Sequence, residues 1–196
     1  MLKGSRGRRD ADNEGRALSK DESKSLSDSP KGIRDQLILA LGIGSGLRRT
    51  EIATLRLKEI DQNAQRIKII GKGNKQRTIY PSRQTWELIR QWIALRGTDG
   101  FRELICSVRK GGHIDANTPV TGNSIYQMLR SLALECDVGL FKPHDLNRTF
   151  ATRMFEAGAD INIVRKAMGH SSVETTQRYD KQEEWEVERY ASYLDI

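Results

Sequence analysis

The stretch PHDLNRTFATRMFEAGADINIVRKAMGHSSVETTQRYD, residues 143–180, decides the fold. Its apolar residues recur at helical spacing, which predicts a helix over 144–157 and a shorter helix after it, each closed by a glycine. His144 opens the first helix, His170 follows the glycine that ends the second, and Tyr179 ends a last short turn. The stretch therefore places two histidines and a tyrosine on short elements that follow one another closely.

The chain before this stretch is predicted to be mostly helical. Helical spacing of apolar residues predicts further helices at 34–43, 50–57, 81–97 and 121–134. Alternating residues predict a β-hairpin with strands 66–70 and 77–80, and another short strand is expected within 101–108. We expect Gly42, Gly44 and Gly46 to break the first of these helices and RKGGH, residues 109–113, to form a flexible basic loop. The predicted fold class is α+β, mostly α-helical with a small antiparallel β-sheet.

The sequence divides into three segments. Residues 1–16 are charged and almost free of large apolar side chains, so they predict a solvated tail or linker, or less favourably a basic arm along DNA. Residues 17–180 carry the apolar periodicity of one domain. Residues 181–196 predict a small amphipathic helix, which either packs on a second protomer or docks on its own core.

Composition favours a polyanionic partner. The 196 residues have a formal net charge of +7 and a pI near 9.5, which suits nucleic acid first and an anionic membrane surface second. No apolar run approaches the ~20 residues that a membrane-spanning helix needs, and no signal peptide is visible. Cys106 and Cys136 lack the spacing of a zinc site and are expected to be reduced thiols in a cytoplasmic protein.

The candidate functional residues are basic groups and one hydroxyl. Arg48 in GLRRTE, Lys72 in GKGNKQR, the two histidines and Tyr179 could form one site assembled from distant segments. Neither a Mg²⁺-binding cluster of carboxylates nor a phosphate-binding glycine loop accompanies them, so no cofactor or metal is expected. Such a set suits phosphoryl transfer to a side-chain oxygen, with arginine as the clamp for phosphate oxygens.

Four motifs carry a resemblance to a known family: GLRRTEIATL, GKGNKQR, PHDLNRTFAT and MGHSSVETTQRY. Together they resemble the catalytic domain of tyrosine recombinases, the phage integrase family, over roughly residues 18–179. The resemblance implies the tyrosine recombinase catalytic-domain fold. It also implies site-specific DNA recombination or integration, by strand breakage and rejoining through a 3′-phosphotyrosine, in a mobile element.

The resemblance also implies residue roles. Tyr179 would attack the scissile phosphate, Lys72 would protonate the departing 5′ hydroxyl, and Arg48 would clamp the phosphate while Glu51 steadies the pocket. Proton transfer and phosphate contacts are expected from His144 and His170, and Arg148 is a further catalytic candidate. Direct DNA contacts are expected from Lys75, Arg77, Arg49 and Asn147. Each residue also has a plainer reading, such as an Arg48–Glu51 pair, a solvated turn lysine or a half-buried tyrosine.

One position departs from the family pattern. The second arginine of the H-x-x-R helix is Asn147 here, and Arg148 follows it. Neighbouring helical positions differ by about 100° around the axis, so Arg148 should not simply inherit the missing contact. Losing a preorganised donor to a transition-state oxyanion costs ~10²–10³ in rate. The sequence therefore predicts a chain that binds DNA but cleaves it poorly or not at all.

Two rival functions remain open at this stage. One is a DNA-binding relic or regulator of an active recombinase, which Asn147 favours, and the other is a topoisomerase with the same chemistry. Family members usually carry an N-terminal DNA-clamping domain. Since only residues 1–16 precede the predicted domain here, the chain is expected to lack that clamp and therefore to bind DNA more weakly. The expected partners are double-stranded DNA and, on DNA, three further copies in a homotetramer. Free in solution we expect a monomer or weak oligomer without membrane association.

Overall fold

The computed structural model of the chain describes residues 15–29, 32–71, 76–170, 172–177 and 179. Lys72 and Lys75, and the helix expected at 181–196, lie outside the described residues. The described part is mostly helical with small antiparallel sheets, as the sequence predicts.

Eight α-helices lie in the described part of the chain. In chain order they are α1 Lys20–Asp28, α2 Ile33–Ser45, α3 Arg49–Thr54, α4 Arg83–Arg96, α5 Gly122–Glu135, α6 Pro143–Glu156, α7 Ile161–Met168 and α8 Val173–Gln177. Several begin at polar caps that the sequence carries. Ser19 and Glu22 form a reciprocal capping box at α1, and the Ser82 and Thr121 hydroxyls accept backbone N–H groups at α4 and α5.

The strands form two antiparallel sheets. β1 Ile60–Asp61, β2 Arg66–Ile70 and β3 Gln76–Ile79 pair in that order, and β4 Cys106–Val108 pairs with β5 Ile114–Pro119. The second sheet was not predicted, because β5 contains Asn117 and Pro119 and has no alternation of buried and exposed residues. The basic 109–113 segment is therefore the turn of a hairpin rather than a free loop.

Helix α2 lies at the centre of the main core. It packs against α1, α3, α4 and α6, and these contacts bury apolar side chains on nearly every face of the helix. Its length corrects the sequence analysis, because Gly42 and Gly44 lie inside the helix and only Gly46 ends it. The predicted helix at 50–57 is also shorter, since the chain leaves α3 at Leu55 and makes a 3₁₀ turn at Leu57–Glu59.

A second, smaller core joins α6, α7 and the segment after α8. It contains Ala151 and Phe155 from α6, Val164 and Met168 from α7, and Tyr179. This core groups Tyr179 with α6, which carries His144, and with α7, which ends two residues before His170.

Residues 15–18 are bonded to α6 rather than free. The Arg16 backbone N–H donates to Asp145, and the Leu18 N–H donates to the buried Thr149 hydroxyl. Arg16 also pairs with Glu22. The structure thus places Arg16, which the sequence analysis assigned to the tail, within the folded part.

Gly46 is required by both its backbone and its surroundings. It adopts φ +67° at the C-terminal end of α2, and an added Cβ would lie 2.5 Å from a ring carbon of Phe150 on α6. We expect Gly46→Ala to lower the free energy of unfolding by about 2–5 kcal/mol, from left-handed backbone strain and overpacking together. Urea unfolding monitored by circular dichroism measures this.

Gly158→Ala provides the matched control. Gly158 has φ +82° with no atom within 4 Å of an added Cβ, so only the backbone cost of about 1–2 kcal/mol is expected. Equal losses in the two variants would contradict the close approach of Phe150 to Gly46.

Candidate active site

Tyr179 lies in the small core with its hydroxyl beside His144. The side chain is buried, and its Oη lies 3.2 Å from Nε2 of His144 on the first turn of α6. The backbone N–H of Tyr179 donates to the carbonyl of Thr176, which ties the tyrosine to the end of α8. Packing thus fixes the ring, and the histidine faces its oxygen.

His170 lies beside the same tyrosine. It follows Gly169, whose left-handed conformation ends α7, and its backbone N–H donates to the Arg165 carbonyl. Its Nδ1 lies 3.0 Å from the hydroxyl of the fully buried Thr176, and its ring centroid lies 6.2 Å from that of Tyr179. Nε2 is therefore the ring nitrogen without a protein partner among the described residues.

Both histidines are held in the neutral form. Partial burial and the positive charge of Arg48 lower the pKa of His170 to about 4. Partial desolvation, followed by the charge of Arg148, also lowers the pKa of His144. Each neutral imidazole has one donor and one acceptor nitrogen, so each can take part in a proton transfer at neutral pH.

Arg48 is positioned by Glu51. The Glu51 carboxylate accepts the Arg48 backbone N–H at 2.8 Å and its Nη1 at 3.2 Å, so the capping of α3 also orients the guanidinium. Burial of Glu51 raises its pKa, but hydrogen bonds from Arg77 and from the Arg48 backbone outweigh that effect and hold the pKa below its usual value. Glu51 is therefore ionised, and the Arg48 side chain remains about one third exposed.

Arg77 has a structural position that differs from the expected DNA contact. Its Nη1 and Nη2 meet the two Glu51 oxygens at 2.7 and 2.9 Å, and its Nε donates to the Ala167 carbonyl of α7. The side chain is only 10% exposed. A guanidinium occupied in this way joins β3 to α3 and α7, whereas the expected DNA contact of Arg77 stays a prediction.

The departure at Asn147 also has a structural explanation. Asn147 is 2% exposed, and its Nδ2 donates to the Gly46 carbonyl at 2.9 Å. Arg148 instead lies over the tyrosine, with its Cζ 5.4 Å from the Tyr179 ring centroid, a cation–π distance. Arg148 thus contacts the tyrosine, while Asn147, at the expected arginine position, links α6 to the end of α2.

Two cavities meet at Arg48. One of about 930 Å³ lies between the base of the β2–β3 hairpin and α7, and His170 lines it. The other, of about 400 Å³, is lined by Arg48, the exposed Arg49, Tyr126, His144 and Asn147. The structure therefore brings together Arg48, His144, His170 and Tyr179, with Arg148 against the tyrosine ring. Lys72 and Lys75 lie outside the described residues.

Three residues of the site were missed by the sequence analysis. Thr176 orients His170, and Arg165 and Lys166 line the larger cavity. The sequence carried a signal for the two cations, since both lie in the last turn of a helix that ends two residues before His170. Within the described part of the chain, no cluster of acidic, histidine or cysteine side chains could hold a metal ion. No helix there has the length and apolar character to cross a membrane.

Comparison with known proteins identifies the family of the chain. The family model described as the phage integrase family matches residues 16–185. Tyrosine recombinase XerC from Myxococcus xanthus is 35% identical over 162 residues, which cover 79% of this chain and 52% of that protein. XerC from Mycobacterium tuberculosis strain CDC 1551 is 31% identical over 172 residues, covering 84% and 55%. The chain thus spans about half the length of the curated relatives it matches.

Solved structures share the fold. The crystal structure of XerA recombinase superposes with a TM-score of 0.76 at 26% identity, covering 92% of this chain and 65% of that one. XerH recombinase in its pre-cleavage complex with the difH substrate gives a TM-score of 0.74 at 21% identity, covering 92% and 55%. With the family model spanning most of its length, the chain belongs to the phage integrase family.

Proposed function

We propose that the chain is the catalytic part of a site-specific tyrosine recombinase that breaks and rejoins DNA through a 3′-phosphotyrosine. The observation that carries this proposal is the 3.2 Å contact between the Tyr179 hydroxyl and His144, at the edge of a hollow that contains Arg48 and His170. The XerC relatives and the DNA-bound XerH structure support DNA as the substrate. Mobile-element DNA is the expected context, as the Tn1549 transposon integrase bound to transposon end DNA suggests.

The residues would divide the first cleavage step as follows. Tyr179 Oη attacks the phosphorus, its proton passes to Nε2 of His144, and the bond from phosphorus to the 5′ oxygen breaks. Arg48 would hold the non-bridging oxygens through its planar fork. If the Thr176 hydroxyl donates a hydrogen bond to Nδ1 of His170, the neutral ring carries its proton on Nε2. That N–H then donates a hydrogen bond to a phosphate oxygen. The resemblance assigns protonation of the 5′ oxygen to Lys72.

A tyrosine nucleophile needs this surrounding because its reference pKa is ~10. The phenol is therefore protonated at neutral pH, and attack requires an acceptor for the proton together with positive charge near the oxygen. His144 supplies the acceptor. Arg148, stacked on the ring at 5.4 Å, supplies charge next to the phenolate that develops.

A second candidate function follows from Asn147. Asn147 has no guanidinium, and its amide already donates to the Gly46 carbonyl. A bound phosphate would therefore meet one guanidinium fewer than the family pattern provides. This favours a DNA-binding relic or regulator that occupies sites without cutting them. The retained tyrosine, histidines and Arg48 favour the enzyme, so the covalent step discriminates between the two.

Assembly and surroundings follow from the same proposal. We expect the chain to act on double-stranded DNA as a homotetramer, to be a monomer or weak oligomer when free, and to work in the cytoplasm without a cofactor. Packing of the 181–196 segment on a second protomer belongs to this proposal.

Covalent trapping tests the proposed function directly. Nicked duplexes with randomised flanking sequence release a short oligonucleotide on cleavage, so any phosphotyrosine product accumulates and its DNA can be sequenced. We expect a covalent band from the wild-type chain that Tyr179→Phe abolishes while the non-covalent gel shift persists, since only the hydroxyl is removed. Gel shifts without any covalent band would favour the DNA-binding regulator, and a covalent band from Tyr179→Phe would refute Tyr179 as the nucleophile.

Restoring arginine at position 147 should increase cleavage. Asn147 lines the smaller cavity with Arg48, so a longer side chain can extend towards the phosphate. We expect Asn147→Arg to raise the rate of covalent-complex formation by about 10²–10³. Asn162→Arg, an equal charge change at an exposed position of α7, should leave the rate near wild type. No gain at 147, or an equal gain at both positions, would contradict a missing guanidinium at that place.

The lowered pKa of His170 predicts an acid-sensitive fold. The pKa is about 4 in the folded chain against about 6.5 in the unfolded one, so the unfolded state binds more protons between these values. The free energy of unfolding should therefore fall as pH drops from 6.5 towards 4, and fall less steeply in His170→Asn. His113→Asn, at an exposed turn, is the control and should keep the wild-type slope. Parallel slopes for wild type and His170→Asn would contradict a neutral His170.

A further inference from the structure

The larger cavity has a basic wall that the proposed mechanism does not use. It extends from Arg48 and His170 towards the last turn of α7, where Arg165 and Lys166 line it. The opposite wall is the base of the β2–β3 hairpin, formed by Ile70, Gly71 and Gln76. The cavity thus forms a channel between the hairpin and α7, with Arg48 and His170 in its lining.

The charge of this channel is not balanced by the protein. Glu51 is the only acidic residue among the described residues that line it, and its carboxylate is occupied by Arg77 and Arg48. Arg165 and Lys166 have no ion-pair partner within the part of the chain that the structure covers. Two cations without a counterion on one wall favour an anionic ligand.

Arg165 also has unused hydrogen-bonding capacity. Its Nε is buried and has no hydrogen-bond partner among the described residues, and its Nη1 makes only a long 3.4 Å contact with the His170 carbonyl. A guanidinium has five donors in a fixed fork that matches two phosphate oxygens. The helix C-terminus attracts its charge but leaves most of these donors free.

The DNA strand provides the matching anion. Each strand carries one phosphate per ~3.4 Å of helix axis, so a strand with one phosphate at Arg48 must place its next phosphates close by. The channel begins at Arg48 and has room for backbone atoms, with a volume of about 930 Å³.

We propose that Arg165 binds a backbone phosphate next to the one that Tyr179 attacks, with Lys166 adding charge at the exposed rim. This makes Arg165 a DNA-positioning residue, whose contact fixes the strand in register with the tyrosine. The inference rests on the proposed function, because it takes DNA as the ligand of the site.

Salt dependence of DNA binding tests the contact. In the Tyr179→Phe background, which excludes covalent attachment, affinity for a duplex of random sequence is measured by fluorescence anisotropy over a series of salt concentrations. Each phosphate contact contributes about 0.9 to the slope of log affinity against log salt concentration. We expect Arg165→Ala to reduce the magnitude of that slope by about one, and Arg165→Lys to keep most of it because the charge remains.

Arg90→Ala is the matched control. Arg90 is exposed on α4, pairs with Glu87, and lines neither of the cavities at Arg48, so the same loss of charge should leave the slope unchanged. Thermal unfolding of the same variants checks for a structural role. If Arg165 only supports the end of α7, Arg165→Ala lowers the melting temperature without changing the slope.

The outcomes separate this inference from the proposed function. An unchanged slope in Arg165→Ala, with wild-type covalent trapping intact, overturns the inference alone. An equal decrease in Arg90→Ala also overturns it, because a general charge effect would then explain the result. If the parent chain shows neither salt-dependent duplex binding nor trapping, the proposed function and this inference fail together.

Discussion

The Glu51 carboxylate is the point at which the separate parts of the site are joined. It accepts hydrogen bonds from the backbone and side chain of Arg48 and from both terminal nitrogens of Arg77. Arg77 in turn donates to the Ala167 carbonyl, so α3, β3 and α7 share one buried network. Replacing a buried ion pair with apolar residues is often neutral, but removing one partner costs ~3–5 kcal/mol. The main effect of the network is therefore to fix the orientation of the Arg48 side chain, rather than to add net stability.

The tyrosine is placed by a different kind of force. Its ring belongs to the small apolar core of α6 and α7, where packing rather than hydrogen bonding fixes its position. Its hydroxyl lies 3.2 Å from Nε2 of His144, which lines the smaller cavity with Arg48. Arg148 lies over the same ring, with its Cζ 5.4 Å from the ring centroid. The two systems meet along α6, which carries His144 on its first turn and packs the ring one to three turns later.

The sequence could predict what depends on local patterns. The strand at Arg66–Ile70 and the short helix at Ile161–Met168 are confirmed, because periodicity acts over a few residues. The family motifs also pointed to Arg48, His144, His170 and Tyr179, which lie near one another in the structure. Gly42 and Gly44 misled the prediction of α2, since burial on all faces outweighs the low helix propensity of glycine. The position of Arg77 could not be read either, because its partner Glu51 is distant in sequence and only the folded chain brings the two together.

The central claim is that basic side chains from separate segments converge on one DNA phosphate beside Tyr179. The most direct measurement is a crystal structure of the Tyr179→Phe variant bound to a duplex recovered from the trapping experiment. The account predicts a backbone phosphate within hydrogen-bonding distance of the Arg48 guanidinium and of Nε2 of His170, next to the ring at position 179. A phosphate bound elsewhere, with Arg48 engaged only by Glu51, would contradict it.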